Sequence, residues 1–226
     1  MKRLRLCLIV ALALLLVTVS VAGASGNPNP GVLPPNSRVQ ERTLGEWTAL
    51  YWEYVLTIPT WQSPFFGNVG TGCLYERIGN VALIAADWNR PLVTCEVPAG
   101  TMLQFMVVGT ECSTLEAPPF YGGNEEELRA CAQSIALDDL QASIDGVPLE
   151  NLSQYVYTSP LYEFTMPEDN IFGVPAGTTG QSVGHAFYVA LAPLSAGTHM
   201  LHFYGYIPDF DFPSEFNFEL TVAPGR

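Results

Sequence analysis

Phe216-Asn-Phe-Glu-Leu-Thr-Val222 alternates apolar and polar residues without a fault. Phe216, Phe218 and Leu220 face one way, and Asn217, Glu219 and Thr221 face the other. A period of two is the mark of a β-strand with one buried face. Working back from it, Met200–Tyr206, Ala186–Leu191, Tyr155–Met166 and Leu140–Ile144 read as strands. The last of these runs into Asp145-Gly146, a tight-turn pair. Further upstream, Val81–Ala85, Leu92–Val97 and Thr101–Val108 read as strands. Thr101–Val108 (Thr-Met-Leu-Gln-Phe-Met-Val-Val) is apolar on both faces, as a central strand is.

Two helices interrupt this pattern. Thr43-Leu-Gly-Glu46 is a capping box, and it predicts a helix from about Glu46 to Thr57, with Pro59 just beyond. Trp47, Leu50, Tyr51, Tyr54 and Val55 recur at helical spacing and form its core face. Asn124-Glu-Glu-Glu127 starts a second helix, with Leu128, Cys131, Ala132 and Ile135 on one apolar face. About eight short strands with two short helices predict a mainly β fold: a single β-sandwich, jelly-roll-like, over residues 43–226. The Pro-rich residues 25–42 read as an extended linker. Three Ala-Gly-Thr segments, at Ala99, Ala176 and Ala196, are unequally spaced and read as shared turn chemistry, not a repeat architecture.

The N-terminus predicts export. Lys2, Arg3 and Arg5 precede an apolar run from Leu6 to Val21, and Ala22-Gly23-Ala24 supplies a small-x-small cleavage site. The run of about 16 residues is short of the ~20 that span a bilayer. The expectation is a signal peptide over 1–24 and a secreted or periplasmic protein with no membrane attachment after cleavage. The chain of 226 residues carries 9 Lys+Arg and 22 Asp+Glu, a net charge of −13. Without its first 24 residues the charge is −16, and no lysine is left. Such acidity excludes nucleic acid and anionic membrane as partners, and the lack of lysine excludes lysine chemistry.

Cys73, Cys95, Cys112 and Cys131 remain after cleavage. An even count in an exported chain predicts two disulfides, and four cysteines allow three connectivities. Cys73–Cys95 and Cys112–Cys131 is the favoured pairing. The first staples segments flanking Val81–Ala85; the second fastens a helix to the preceding strand. A Cys₄ metal site is disfavoured by the lack of any C-x-x-C pair.

Gly180-Gln-Ser182-Val-Gly184 matches the G-x-S-x-G nucleophile elbow. That motif needs a strand before it and a helix after it, and here a turn-like stretch precedes and a strand follows. It reads as a glycine-rich loop, with a reordered Ser182, His199 and Asp209 triad as the rival. His199 and His202 are an odd number of residues apart on one strand and face opposite ways. His185 and His202 become diagonal neighbours if Tyr204 pairs with His185. The acidic loops Glu168-Asp-Asn170 and Asp209-Phe-Asp211 have oxygen ligands that suit Ca²⁺, although no known calcium-loop spacing is present. No cofactor is otherwise expected. Trp61, Trp88, Phe120, Tyr121 and Phe210 fall in predicted loops, and exposed rings of this kind hold sugars on many β-sandwich modules. Trp88, Trp61 and Tyr121 are the candidate ligand-binding residues.

Several segments together resemble an uncharacterised family of exported bacterial proteins. They are Gly45-Glu-Trp47 with Tyr51, Trp52 and Tyr54, and Thr71-Gly-Cys73, one residue tighter than the family's Thr-Gly-x-Cys. They continue with Cys95 to Gly100, with Glu127-Leu-Arg129 before Asp145-Gly146, and with Pro193-Leu-Ser-Ala-Gly-Thr-His199. The resemblance spans roughly 45–206 and implies export and a shared fold; it carries no activity. The leading functional expectation is a secreted binding module for a carbohydrate or cell-surface component. The alternatives are a glycoside or ester hydrolase using paired carboxylates or Ser182, and a structural protein without a small ligand.

Overall fold

The computed structural model describes residues 29, 31–67, 69–70, 72–87, 90 and 92–225. The predicted signal peptide and Trp88 lie outside them.

The alternating stretch belongs to the final strand, β13 (Phe212–Val222), and its odd-even pattern does what the sequence predicts. Phe216, Phe218, Leu220 and Val222 are buried, while Glu219 and Thr221 are not. β13 lies in a five-stranded sheet of order β5 (Val93–Val97), β13, β12 (Gly197–Ile207), β7 (Asp138–Ile144), β8 (Val147–Pro148). The facing sheet has the order β10 (Tyr162–Thr165), β11 (Thr179–Leu191), β6 (Met102–Ser113), β4 (Val81–Ala86), β3 (Cys73–Ile78). A short β9 (Val156–Thr158) also pairs with β11. A two-stranded ribbon, β1 (Arg38–Val39) and β2 (Arg42–Thr43), leads into the first helix. Most pairings are antiparallel; β4 with β6 and β5 with β13 run parallel.

The architecture is the expected β-sandwich, mainly β with two helices. Between the sheets, Ile84, Leu103, Phe105, Phe187 and Val189 from one pack against Leu201, Phe203, Phe218 and Leu220 from the other. Phe105 meets Phe203 and Phe218 at ring centroid distances of 5.2 and 5.0 Å. The outer face of the β6 sheet is also apolar and is covered by α1 (Leu44–Thr57). That is why β4 is buried along its whole length and β6 reads as apolar on both faces. α1 begins at the expected capping box, with Thr43 and Glu46 bonded reciprocally. Its buried face is turned slightly from the predicted one: Trp47, Thr48, Tyr51, Trp52 and Val55 are buried, and Leu50 and Tyr54 are only half covered. α2 (Glu125–Ser134) starts at Asn124 and packs Leu128 and Ala132 on Cys112 and Val183.

The disulfides are Cys73–Cys95 and Cys112–Cys131, with Cα separations of 5.6 and 6.1 Å. Cys73 and Cys95 stand on outer strands of the two different sheets, so their bond crosses the sandwich at its side. Cross-links closing loops of this length are worth ~3 kcal/mol each in the chain-entropy account.

Several expectations are corrected. In the stretch 25–42, read as an extended linker, Asn29 and residues 31–42 are described, and several of them pack on the domain. Asn29 is buried and bonds both the backbone of Glu150 and the Tyr155 hydroxyl. Val32 bridges Leu191, and Val39 is buried. Tyr155–Met166 is not one strand. It breaks at Ser159-Pro160-Leu161, where proline offers no N–H to the ladder. Cys73–Ile78 is a strand that alternation did not reveal, and Gly180–Gly184 lies inside β11 instead of a loop. The two glycines are there for close approach. A Cβ at Gly184 would sit 2.2 Å from Trp52 Cδ1, and one at Gly180 would sit 2.6 Å from the Phe164 ring.

Candidate functional site: an aromatic cavity with a buried carboxyl pair

The site starts from a fault in strand pairing. β11 and β6 keep one register from Leu191–Leu103 to Tyr188–Met106, then shift, with Phe187 opposite Val108. Val107 is the extra residue of a β-bulge. Both Val107 and Val108 therefore face the inter-sheet core. Beyond the bulge the alternation is reversed. Cys112 points towards α2, and Glu111, across the ladder from Gly184, points to the α1 side. Without the bulge, Glu111 would be directed into the sandwich.

The second cause is that β4 accompanies β6 only from Met102 to Phe105. Past that point one edge of β6 borders a cavity of about 380 Å³. Trp52 and Leu56 of α1 form one wall, with Gly109, Thr110 and Glu111 of β6 beside them. Phe65, Phe120, Phe172, Phe210 and Phe212 supply the other rings, and Glu116 stands opposite Glu111. Phe120 and Phe210 pack on each other at 5.2 Å near the rim, where Phe210 is exposed.

Glu111 is buried and is hydrogen-bonded to the Glu116 carboxyl. Ser182 Oγ donates to Glu111 Oε2, and Tyr162 donates to Ser182 Oγ at 2.9 Å. Ser113 Oγ donates to Glu116 Oε2 at 3.2 Å. Burial, reinforced by the neighbouring Glu116 charge, pushes the Glu111 carboxyl well above the ordinary range. Burial pushes Glu116 up to about 7, against the lowering effect of its bonds to Glu111 and Ser113. Two carboxyls in contact share a proton because both cannot ionise cheaply at that distance. On the same face of the sheet, Trp52 lays the Nε1 edge of its indole over Gly184. That N–H is buried and has no hydrogen-bond partner among the described residues.

The residues singled out from sequence are scattered. Ser182 is fully buried inside the Glu111 network. His199 is in the other sheet. Its Nδ1 lies 2.8 Å from Asp145 Oδ2, and its Nε2 lies 3.0 Å from the Ser195 carbonyl and 3.3 Å from Ser195 Oγ. Asp209 accepts from the Ala136 N–H. The Ser182, His199 and Asp209 triad is therefore not assembled. The Ser195–His199–Asp145 series lies at the surface, outside the lining of the aromatic cavity. The diagonal His185–His202 pair fails because β11 and β12 are in different sheets. His185 meets Thr158 Oγ1 at 2.9 Å, its ring pKa lowered by burial, and His202 meets Glu215 at 3.0 Å.

In the acidic loops, the Asn170 amide donates to the carbonyls of Pro167 and Val174. Asp169 accepts from Thr60 and the Trp61 N–H, and Asp211 from the Tyr206 hydroxyl. Among the described residues, no three metal-ligating side chains converge. Trp61 is exposed on a 3₁₀ turn away from the cavity lining. Tyr121 is exposed beside Phe120, which does line it.

Sequence reading did not single out Glu111 or Glu116. The available signal was Glu111 itself: the one carboxylate that continues the apolar run of β6, directly before a bonded cysteine.

No protein family and no curated protein matches the chain. Among solved structures, one chain of the structure of PbICP-C in complex with falcipain-2 is similar at 10% identity and a TM-score of 0.24, over 68% of this chain and 99% of that one. The solution structure of amebosin is similar at 9% identity and a TM-score of 0.21, over 57% of this chain and 88% of that one. Likeness at this level carries nothing about activity.

Proposed function

We propose that the protein is an exported binding protein that seats a small organic molecule in the aromatic cavity at the end of β6. The observation that supports this is the cavity itself: about 380 Å³, walled by rings, with a buried carboxyl pair on one side. Ligand sites are typically concave and apolar with a few convergent polar groups of shifted pKa. Export rests on the predicted signal and is consistent with two disulfides. No helix among the described residues is long and apolar enough to cross a membrane.

The carbohydrate expectation moves from the surface rings to this cavity, where the walls favour an apolar body over a polyhydroxylated one. Carboxyls in direct hydrogen-bond contact are too close for glycoside hydrolysis, which places them ~5–5.5 or ~6.5–9.5 Å apart. Ser182 is enclosed and already donates its proton to Glu111, which suits support of the pair better than nucleophilic attack.

Titration calorimetry with 2-phenylethanol tests the reading. Saturable binding to the natural chain is expected. Ile171→Trp, which fills the cavity from its loop, is expected to abolish binding with little change in melting temperature. Equal binding by natural and filled proteins would locate the site elsewhere.

A further inference from the structure

We propose that the cavity takes a small organic cation, a protonated amine on an aromatic or branched aliphatic body, with its ammonium group against Glu111 and Glu116. This rests on the cavity reading above and specifies its ligand class.

The first support is a missing counter-charge. A carboxylate enclosed in an apolar wall calls for a cation, and none of the described arginines lines this one. Arg38 bonds the Glu41 carbonyl, Arg42 lies over the Trp47 ring, Arg77 reaches the Gly79 carbonyl, Arg90 pairs with Asp87, and Arg129 pairs with Glu125. The chain has no lysine after Lys2. Within the described residues the donors that support the pair are neutral: the Ser182 and Ser113 hydroxyls and the Ser113 backbone.

The second support is the wall. Trp52, Phe65, Phe120, Phe172, Phe210 and Phe212 present six rings to one space. The negative face of an aromatic quadrupole attracts ammonium groups, most strongly when water is excluded. A carboxylate ligand would meet both the pair and these faces unfavourably.

The third is independent of charge. Trp52 Nε1–H is buried without a partner, and an unmade hydrogen bond in such a place costs ~1–3 kcal/mol. It lies over Gly184, the residue that faces Glu111 across the ladder. A hydroxyl or carbonyl oxygen next to the ligand's nitrogen would accept from this N–H.

Protonation sets a condition. Groups that bear on the pair are Ser113 on β6, Ser182 on β11, Tyr162 on β10 and, through Tyr162, Glu53 on α1. Tyr162 stays neutral, its pKa raised by burial and by the Glu111 charge. The pair thus gains its net charge as Glu116 ionises at about 7.

The test is calorimetry on the natural chain with phenethylamine, 2-phenylethanol and 3-phenylpropanoate at about pH 8, where the pair is charged. The amine is expected to bind at least about tenfold more tightly than the alcohol, and the acid more weakly than either. At about pH 5 the amine's advantage is expected to shrink to what the rings alone supply, a comparison that needs no variant. Glu116→Gln is expected to shrink it in the same way at the higher pH. An alcohol that binds as tightly as the amine, or an acid that binds best, overturns the cation inference while the cavity reading stands. Failure of all three to bind overturns both.

Discussion

Glu111 and Asp145 are both hydrogen-bonded carboxylates in a β-sandwich, and their surroundings give them opposite characters. Asp145 sits in the turn between β7 and β8, half exposed, and accepts from the Met200 N–H and from His199. Bonding to His199 holds its pKa below the usual range, and the same bond raises that of His199. Each partner is most comfortable charged, and the turn is held in place. Glu111 faces another carboxyl in an apolar wall, and the pair resists ionising. The comparison separates a polar contact that stabilises a fold from one kept at a cost to the fold. At the far end of β6 a cavity, the unpartnered Trp52 N–H and two raised carboxyls come together.

The comparison breaks first at Glu111. Glu111→Ala leaves a void and takes the acceptor from the Ser182 hydroxyl, and denaturant unfolding is expected to show a loss of about 3 kcal/mol. A loss below about 1 kcal/mol would mean that the network contributes little to the fold.

The pH dependence sharpens it, because the signs differ. A carboxyl whose pKa is raised on folding binds more protons in the folded state. Stability from Glu116 is therefore full below 4.5 and falls as pH rises to about 7. The fall is expected to be on the order of 3 kcal/mol. For the Asp145–His199 pair the window is different. The His199 contribution is full below 6.5 and is lost as pH rises through its raised pKa. The Asp145 contribution is full above 3.8 and is lost as pH falls through its lowered pKa. Unfolding curves for Glu116→Gln against the natural chain should lose part of the slope between 4.5 and 7, the remainder belonging to Glu111, whose carboxyl burial also raises. A slope left unchanged by the substitution would take Glu116 out of the account.

The smaller effects come last. Trp52→Phe removes the unpartnered N–H and is expected to leave stability within about 1 kcal/mol of the natural chain, in spite of the lost ring volume. A loss of about 3 kcal/mol would show that the N–H is satisfied in solution. His199→Ala is expected to cost about 0.5–1 kcal/mol at pH 5 to 6 and less at pH 8, since a half-exposed pair is screened by solvent. Equal losses at both would remove the charge from the account.

Much of the frame was legible in the sequence because local rules govern it. Thr43 with Glu46 and Asn124 with Glu127 cap helices wherever they stand, and both helices begin there. Phe216 to Val222 alternates because only one face of β13 meets the core. The cysteine pairing followed from neighbouring segments. The candidate site was not legible, and the reason is physical. The bulge at Val107 inverts alternation within a strand, so Glu111 could not be assigned a face from its spacing. Gly180 and Gly184 look like turn residues in sequence. They are strand residues whose missing side chains make room for Phe164 and Trp52, which lie far away in the chain. Cys73–Ile78 carries polar Glu76 and Arg77 on an outer strand, where alternation loses its meaning. Asn29 and Val32 read as linker because their partners, Glu150, Tyr155 and Leu191, lie more than a hundred residues on.

The Cys73–Cys95 bond has a consequence for how molecules of this protein meet one another. Outer strands offer unpaired backbone groups, and other chains can extend a sheet from them. Here the outer strands β3 and β5 belong to different sheets, yet Gly72 pairs with Thr94 and the disulfide lies one residue further along each strand. At that corner the sandwich is closed into a seam, as a barrel is. Reduction would open two templates at once. Light scattering under reducing conditions should then show self-association that the oxidised protein lacks, which would make an oxidising compartment a condition of remaining separate as well as of remaining folded.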